Sequence, residues 1–418
     1  MRKYKRIIAV LMTFMSIVSL GVSGQELTVQ TANSFDNPAN GQGDDAYSYS
    51  EVLFDESFDD AKPDYDIKAG NGYKSIFYSG YTCPAAEDMI DSAVIKKENG
   101  NLYASVSRFG TPDYGKKNTM LSLWLNENGA SLQGEHKSIG LNQNFSYHSR
   151  VCINPSVKSS NSGLFIDATS YVHSAYINAR VIIIDIVAIE KNKFRYRYQY
   201  GLYNESSGAW EDKTSETKTA EGIDLSEGWA DIDLDVNNTE CKYSLTINGT
   251  KIISDADMLA ISRNERREPN INCVRMGINR GAAYEGEYCF DDFRISIDRS
   301  EQLNAAKAEL DRQMTENVDL SNLTQDIALA DSAADCCVTW QSDNTDAIET
   351  DGTVHRRNFT QNAVLAAEIS VTPSETAVKN AYVKAFYDVC VPKKETATTE
   401  ETLNEIAQLL LCYEKICS

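Results

Sequence analysis

Between about residue 50 and residue 299, apolar side chains recur at every second position in short runs. Clusters of Gly, Asn and Asp separate these runs. A period of two marks half-buried β-strands, because successive side chains point to opposite faces. It predicts strands at Leu102–Val106, Met120–Leu125, Ser146–Ile153, Arg180–Ile189, Lys193–Tyr200 and Tyr243–Ile247. In the run Phe194, Tyr196, Tyr198, Tyr200, each aromatic alternates with Arg195, Arg197 or Gln199. One face of that strand is aromatic and the other polar. Asn248-Gly249, between Tyr243–Ile247 and Lys251–Ile253, predicts a two-residue hairpin, since both central positions of such a turn take positive φ. No long amphipathic helix interrupts the region. Many short strands in succession predict two packed sheets, a sandwich or jelly roll over 49–299.

The period changes at residue 301. Leu303, Ala306, Leu310 and Met314 recur at helical spacing and predict a connecting helix over 300–316. Strand patterns return at Val338–Trp340, Ala363–Val371 and Val383–Val391, and the span 317–392 suits a smaller second sandwich. Residues 393–402 read as a linker, and Leu403, Ile406, Ala407, Leu410 and Cys417 share one face of a terminal helix within 393–418. That helix would dock on a module of this or a longer chain. At the other end, Arg2, Lys3, Lys5 and Arg6 precede the apolar run Ile7–Leu20 and the small residues around Val22, Ser23 and Gly24. This is the make-up of a secretory signal peptide over 1–24. The run is short for a membrane span, which needs roughly 20 residues. Residues 25–48 are polar and aperiodic, as in a flexible linker.

Charge narrows the partners. The net charge is −21 and the pI about 4.7, which disfavours binding to nucleic-acid phosphates. With 4 histidines, a His-rich metal or acid–base centre is not expected. The 10 cysteines form no C-x-x-C pair, so zinc is not indicated, and most read as small buried apolar residues. Export would permit one or two disulfides, whose connectivity the sequence leaves open. The expectation is a secreted or cell-surface protein, without stable membrane insertion once the signal is removed.

Two resemblances sharpen this. Leu53-Phe54-Asp55-Glu56-Ser57-Phe58-Asp59-Asp60 looks like an opening strand, and Gly228-Trp229 leads into Ile232, Leu234 and Val236. Tyr243–Gly249, Gly277–Gly281 and Tyr288-Cys289-Phe290-Asp291-Asp292-Phe293-Arg294-Ile295 follow. Together they resemble the concanavalin A-like lectin/glucanase superfamily, which includes laminin-G-like jelly rolls. Farther on, Val338-Thr339-Trp340-Gln341-Ser342-Asp343-Asn344, Ala347-Ile348, Asp351-Gly352-Thr353-Val354 and Val364–Ile369 resemble the atrophied bacterial immunoglobulin-like domain. Ala366-Ala367 stands where that pattern has Thr-Ala, and Cys336-Cys337 is unusual for it. The resemblances imply an all-β protein: a jelly-roll β-sandwich plus a smaller immunoglobulin-like β-sandwich. They also imply one structural calcium where the first and last jelly-roll strands meet, with Glu56, Asp59 and Asp292 as ligands. Asp292 is preferred to Asp291 because only one of two successive strand residues faces a given side.

Three functions compete. Glycan binding needs planar polar groups for hydroxyls and aromatic platforms for sugar faces. Arg180, Arg195, Arg197, Gln199, Tyr203 and Trp210 are the candidates, with Trp124, Tyr147, Tyr171 and Tyr176 as further aromatics. Trp210 sits in Ser206-Ser207-Gly208-Ala209-Trp210-Glu211, which reads as a hairpin tip. Trp229 and Trp340 read as core. A hydrolase of the laminarinase type would need Glu-x-Asp-x-x-Glu on one strand. The nearest text, Ile183-Ile184-Asp185-Ile186-Val187-Ala188, lacks both Glu positions. A lyase would pair the arginines with a Tyr or His base such as Tyr203, His148 or His173. A structural cell-surface role is the third reading. The sequence favours a polysaccharide-binding, non-catalytic protein with an immunoglobulin-like spacer.

Overall fold

The computed structural model describes residues 28–29, 47–70, 73–74, 76–80, 90–109, 119–124, 143–153, 163–172, 177–190, 193–222, 228–261, 271–278, 286–316, 318–373, 377–395 and 398–416. The signal-peptide segment 1–24 lies outside them. Within the stretch expected as linker, Thr28–Val29 (β1) and Tyr47–Ser48 (β2) are short strands.

The chain divides into two compact units, one of residues 50–299 with 373–381, the other holding 300–372 and 382–418 with the segment before residue 50. The larger unit runs through β3 (Ser50–Glu56), β4 (Ile76–Gly80), β5 (Ile90–Glu98), β6 (Asn101–Phe109), β7 (Thr119–Trp124), β8 (Phe145–Ile153), β9 (Gly163–Val172) and β10 (Ile177–Glu190). It continues with β11 (Lys193–Asn204), β12 (Ala209–Thr214), β13 (Lys218–Glu221), β14 (Ala230–Asn237), β15 (Lys242–Ile247), β16 (Thr250–Asp257), β17 (Ile271–Ile278) and β18 (Gly286–Asp298). These make two 8-stranded antiparallel sheets. The first has the order β12-β11-β10-β9-β17-β7-β4, with β13 also on β11. The second has the order β16-β15-β14-β8-β18-β6-β5, with β3 on β18. Hairpin neighbours such as β14-β15-β16 alternate with pairings between strands distant in sequence, such as β9 with β17 and β8 with β18, as in a jelly roll.

Alternation puts one face of each sheet into a shared core. Ile182, Ile184 and Ile186 of β10, Phe194 of β11, Ile232 and Leu234 of β14, and Phe290 and Ile295 of β18 are all buried there. Each such aliphatic or aromatic side chain stabilises the fold by about 1.5–3 kcal/mol. The Asn248-Gly249 turn forms as predicted: Ile247 pairs with Thr250, and the two turn residues take φ of 46° and 73°.

The smaller unit is built on a 6-stranded sheet. Its strands are β1, β2, β19 (Ser332–Ala333), β20 (Cys336–Ser342), β21 (Thr360–Val371) and β22 (Tyr382–Val391). Helix α1 (Ser300–Glu316) buries Leu303, Ala306, Leu310 and Met314 and packs on β21 and β22. The helix expected as a connector thus supplies core to this unit, and Tyr387 on β22 donates to Asp311 at 2.9 Å. Trp340 is half-buried rather than enclosed. Its indole N–H donates to the Ala330 carbonyl at 2.7 Å and its ring lies against Tyr387. The terminal helix α2 (Thr399–Ile416) begins with a capping box. Glu401 N–H donates to Thr398 Oγ1, and Thr398 N–H donates back to the Glu401 carboxylate. Glu405 of this helix accepts from Asn358 N–H at 2.9 Å and from Arg357, which ties α2 to its own unit.

Candidate functional site

The outward face of the first sheet carries the polar candidates. The antiparallel registers line its side chains up in rows. One row runs Gln199, Ile183, Asp167, Arg275, Ser122 across β11, β10, β9, β17 and β7. The next runs Arg197, Asp185, Phe165, Gly277, Met120. Phe165, Asp167, Thr169, Cys273, Ser122 and Met120, in the middle of this face, are each at most 2% exposed. The exposed part follows β11.

At the buried centre, Asp167 is clamped by two guanidinium groups. Arg275 donates from Nε and an Nη at 2.5 and 2.8 Å, and Arg180 approaches through Nε at 3.1 Å. Arg180 also lies over the Phe165 ring, 5.4 Å from its centroid. Burial pushes the Asp167 carboxyl upward, against the pull of Arg275 and Arg180. A buried carboxylate is tolerable only with such partners. Sequence reading named Arg180 but missed Asp167 and Arg275. The signal was one charge in each of two apolar strands, Leu164-Phe165-Ile166-Asp167 and Val274-Arg275-Met276.

Along β11 the alternation holds. Phe194 and Tyr196 are buried, whereas Arg195 and Arg197 are exposed. Arg197 is anchored by Asp185 through Nε at 3.0 Å. Among the described residues, Arg195 has no ion pair. Tyr203 pairs directly with Trp210 on β12, their ring centroids 5.7 Å apart. Tyr203 is 49% exposed and Trp210 half-buried. The hairpin between them is held by Asn204, whose side-chain oxygen accepts from Ser206 N–H and whose carbonyl accepts from Gly208 N–H. Four residues of strand separate Gln199 from Tyr203, about 13 Å. The six candidates are therefore not one cluster. Arg195, Arg197 and Gln199 form a polar strip, Tyr203 and Trp210 an aromatic pair at its far end, and Arg180 turns into the Asp167 clamp.

The proposed metal ligands do not converge. Glu56 is buried, accepts from Phe58 N–H at 2.7 Å and pairs with Lys74. Asp59 accepts from Ser57 Oγ at 2.9 Å, and Asp292 pairs with Arg150 at 3.2 Å. Among the described residues no group of three His, Cys, Asp or Glu side chains could hold a metal ion. The residues thus do not fit a calcium site. The choice of Asp292 over Asp291 assumed unbroken alternation, but the register shifts between Asp291 and Arg294 and Asp292 takes φ of 51°. The bulge breaks the period of two.

On the second sheet's outward face, Trp229 lies between Tyr103, at 5.5 Å, and Arg150, at 5.3 Å. It is not a core residue. His148 is on the same face, bonded to Asp233 at 2.7 Å. Tyr147 points the other way, fully buried. The side chains of Trp124 and Tyr171, and residues His173 and Tyr176, lie outside the described residues. The smaller unit has an open cavity of about 690 Å³ lined by Asp346, Glu349, His355, Arg357 and Glu405 among others. Within it His355 is hydrogen-bonded to Glu349, Arg357 pairs with both Asp346 and Glu405, and Arg356 donates to the Lys393 carbonyl.

Residues 303–385 match the family model of the atrophied bacterial Ig domain. The match begins inside α1, so the helix belongs to the matched span. In this Ig domain the Asp351-Gly352 pair has a mechanical reason. Gly352 takes φ of +90°, and a Cβ there would lie 2.0 Å from the Ile327 carbonyl oxygen. A search of curated proteins finds no match. Among solved structures, the chain is similar to a non-specific endo-β-1,3(4)-glucanase from family GH16, at 11% identity, TM-score 0.35, covering 61% of this chain and 93% of that one. It is also similar to β-agarase A from Zobellia galactanivorans, at 12%, TM-score 0.34, covering 64% and 98%. A third is a xylan-binding domain from Paenibacillus barcinonensis, at 8%, TM-score 0.27, covering 61% and 99%. At these scores the three likenesses carry no argument about activity.

Proposed function

We propose that the larger unit is a non-catalytic polysaccharide-binding module of an exported protein, and that the Ig domain serves as its spacer. The observation that carries this is the strip along β11 and β12. Exposed Arg195 and Arg197, with half-buried Gln199, share one strand face with the Tyr203–Trp210 pair. Planar donors for hydroxyls followed by a partly exposed aromatic pair suit an extended sugar chain. Arg195 and Arg197 are exposed on the sheet face, whereas the carboxylates beside them are occupied. Asp185 is held by Arg197, and Asp167 is buried between Arg275 and Arg180. Neither is placed to protonate a leaving group, which speaks against a cleaving enzyme on this face.

The test is affinity electrophoresis of the full chain through gels containing neutral or acidic polysaccharides, with product analysis of each mixture. Retardation by at least one polysaccharide, weakened several-fold in Arg195→Ala/Arg197→Ala, is the expected result. Unchanged mobility in every gel would leave the structural reading in its place. New reducing or unsaturated ends would replace binding by catalysis.

A further inference from the structure

We infer that Cys152 and Cys289 form a cross-strand disulfide when the chain matures in an oxidising compartment. The two residues are direct register partners on β8 and β18, neighbouring strands of the second sheet. Both are free thiols in the structure. Among the described residues, no other two cysteines are partners in any strand register.

The register puts the two residues within the reach of a disulfide. Directly opposed residues of an antiparallel pair have Cα atoms about 4.5 or 5.5 Å apart, according to whether the pair is hydrogen-bonded. Both distances fall within the roughly 4.4–6.8 Å span of natural disulfides, and side chains of opposed residues leave the same side of the sheet. Opposed Cβ atoms lie about 4.5–5.5 Å apart and a disulfide holds them at about 3.8 Å, so closing the bond draws the two strands together locally by on the order of an ångström. Cys289 is 7% exposed, while Cys152 is half-buried and is the thiol that a reagent can reach.

The chemistry is a thiol–disulfide exchange with a disulfide-bearing oxidant, such as an oxidised dithiol oxidoreductase or glutathione disulfide. The Cys152 thiolate attacks the oxidant's disulfide and gives a mixed disulfide, releasing one oxidant thiolate. Cys289 then attacks Cys152 Sγ, forming the Cys152–Cys289 bond and releasing the second. Two protons leave the cysteines and two electrons pass to the oxidant, which ends as two thiols. Burial, with Glu287 and Glu98 nearby, pushes the Cys152 thiol above its usual range, and burial with Glu287 pushes Cys289 up to about 12. The first attack is therefore slow at neutral pH and favours oxidation during folding, before the strands enclose Cys289.

The bond would close a loop on the order of 100 residues. For such a loop, reduction is expected to lower the unfolding midpoint by about 10 °C. The experiment refolds the full chain in glutathione disulfide and glutathione, alkylates it in denaturant without reductant, and maps the peptides by mass. A linked peptide pair joining Cys152 to Cys289 is the expected result, with a melting midpoint that reductant lowers. In Cys152→Ala/Cys289→Ala that reductant-dependent drop should disappear. Full alkylation of both cysteines in the wild-type chain overturns the inference. So does a bond from either one to a different cysteine.

Discussion

Asp291 offers the sharpest test of the electrostatics. It is 2% exposed on the second sheet, accepting from Asn101 at 3.0 Å and from Asp292 N–H at 2.9 Å. Burial first, and then the Asp292 charge, raise its carboxyl from 3.8 to about 6. A carboxyl that is easier to protonate folded than unfolded favours folding in its protonated form. That advantage is full below about 4 and is lost as pH rises through 6. The gap corresponds to about 3 kcal/mol. Arg150 beside it is 37% exposed, so solvent screens the site, and about 1–2 kcal/mol is the better figure. Asp291→Asn keeps the shape and removes the charge, and the Asn101 amide can turn to meet it. Urea unfolding of both proteins between pH 4 and pH 8 is the assay. The variant should match the wild type near pH 4 and exceed it by about 1–2 kcal/mol above pH 7. A variant less stable at pH 8, or a difference that stays flat across the range, would refute the reasoning.

Asp167→Ala should cost about 3–5 kcal/mol in the same assay, because two guanidinium groups lose their counter-ion, and adding Arg275→Met should recover part of it; a loss under about 1 kcal/mol contradicts the clamp. Leu310→Ala should destabilise the smaller unit by about 2–5 kcal/mol, read by calorimetry, since the side chain is fully buried under the sheet. Gly352→Ala should lower the same transition markedly, because its Cβ would strike the Ile327 carbonyl at positive φ; an unchanged melting profile removes the steric account of the Asp-Gly pair. Trp210→Ala should weaken polysaccharide retardation several-fold while lowering stability by about 1–2 kcal/mol through the lost ring packing on Tyr203, and equal retardation would take the aromatic pair out of the binding strip.

The sequence alone determined what depends on neighbours a few residues apart. Alternation assigned Phe194 and Tyr196 inward and Arg195 and Arg197 outward, and the structure has them so. Asn248-Gly249 made its hairpin because its φ requirement is local. The spacing of Leu303, Ala306, Leu310 and Met314 named the buried stripe of α1. Tertiary structure decided everything that depends on register between distant strands. Asp167 and Arg275 meet across 108 residues, and no local pattern announces which strands will adjoin. The same holds for Cys152 opposite Cys289, and for Trp229 against Tyr103. Where a bulge interrupts alternation at Asp292, local reasoning lost the phase, and the three carboxylates that the resemblance brought together keep separate partners in the fold. Period fixes the face of a side chain, whereas its neighbours on that face are set by which strands pair and in what register.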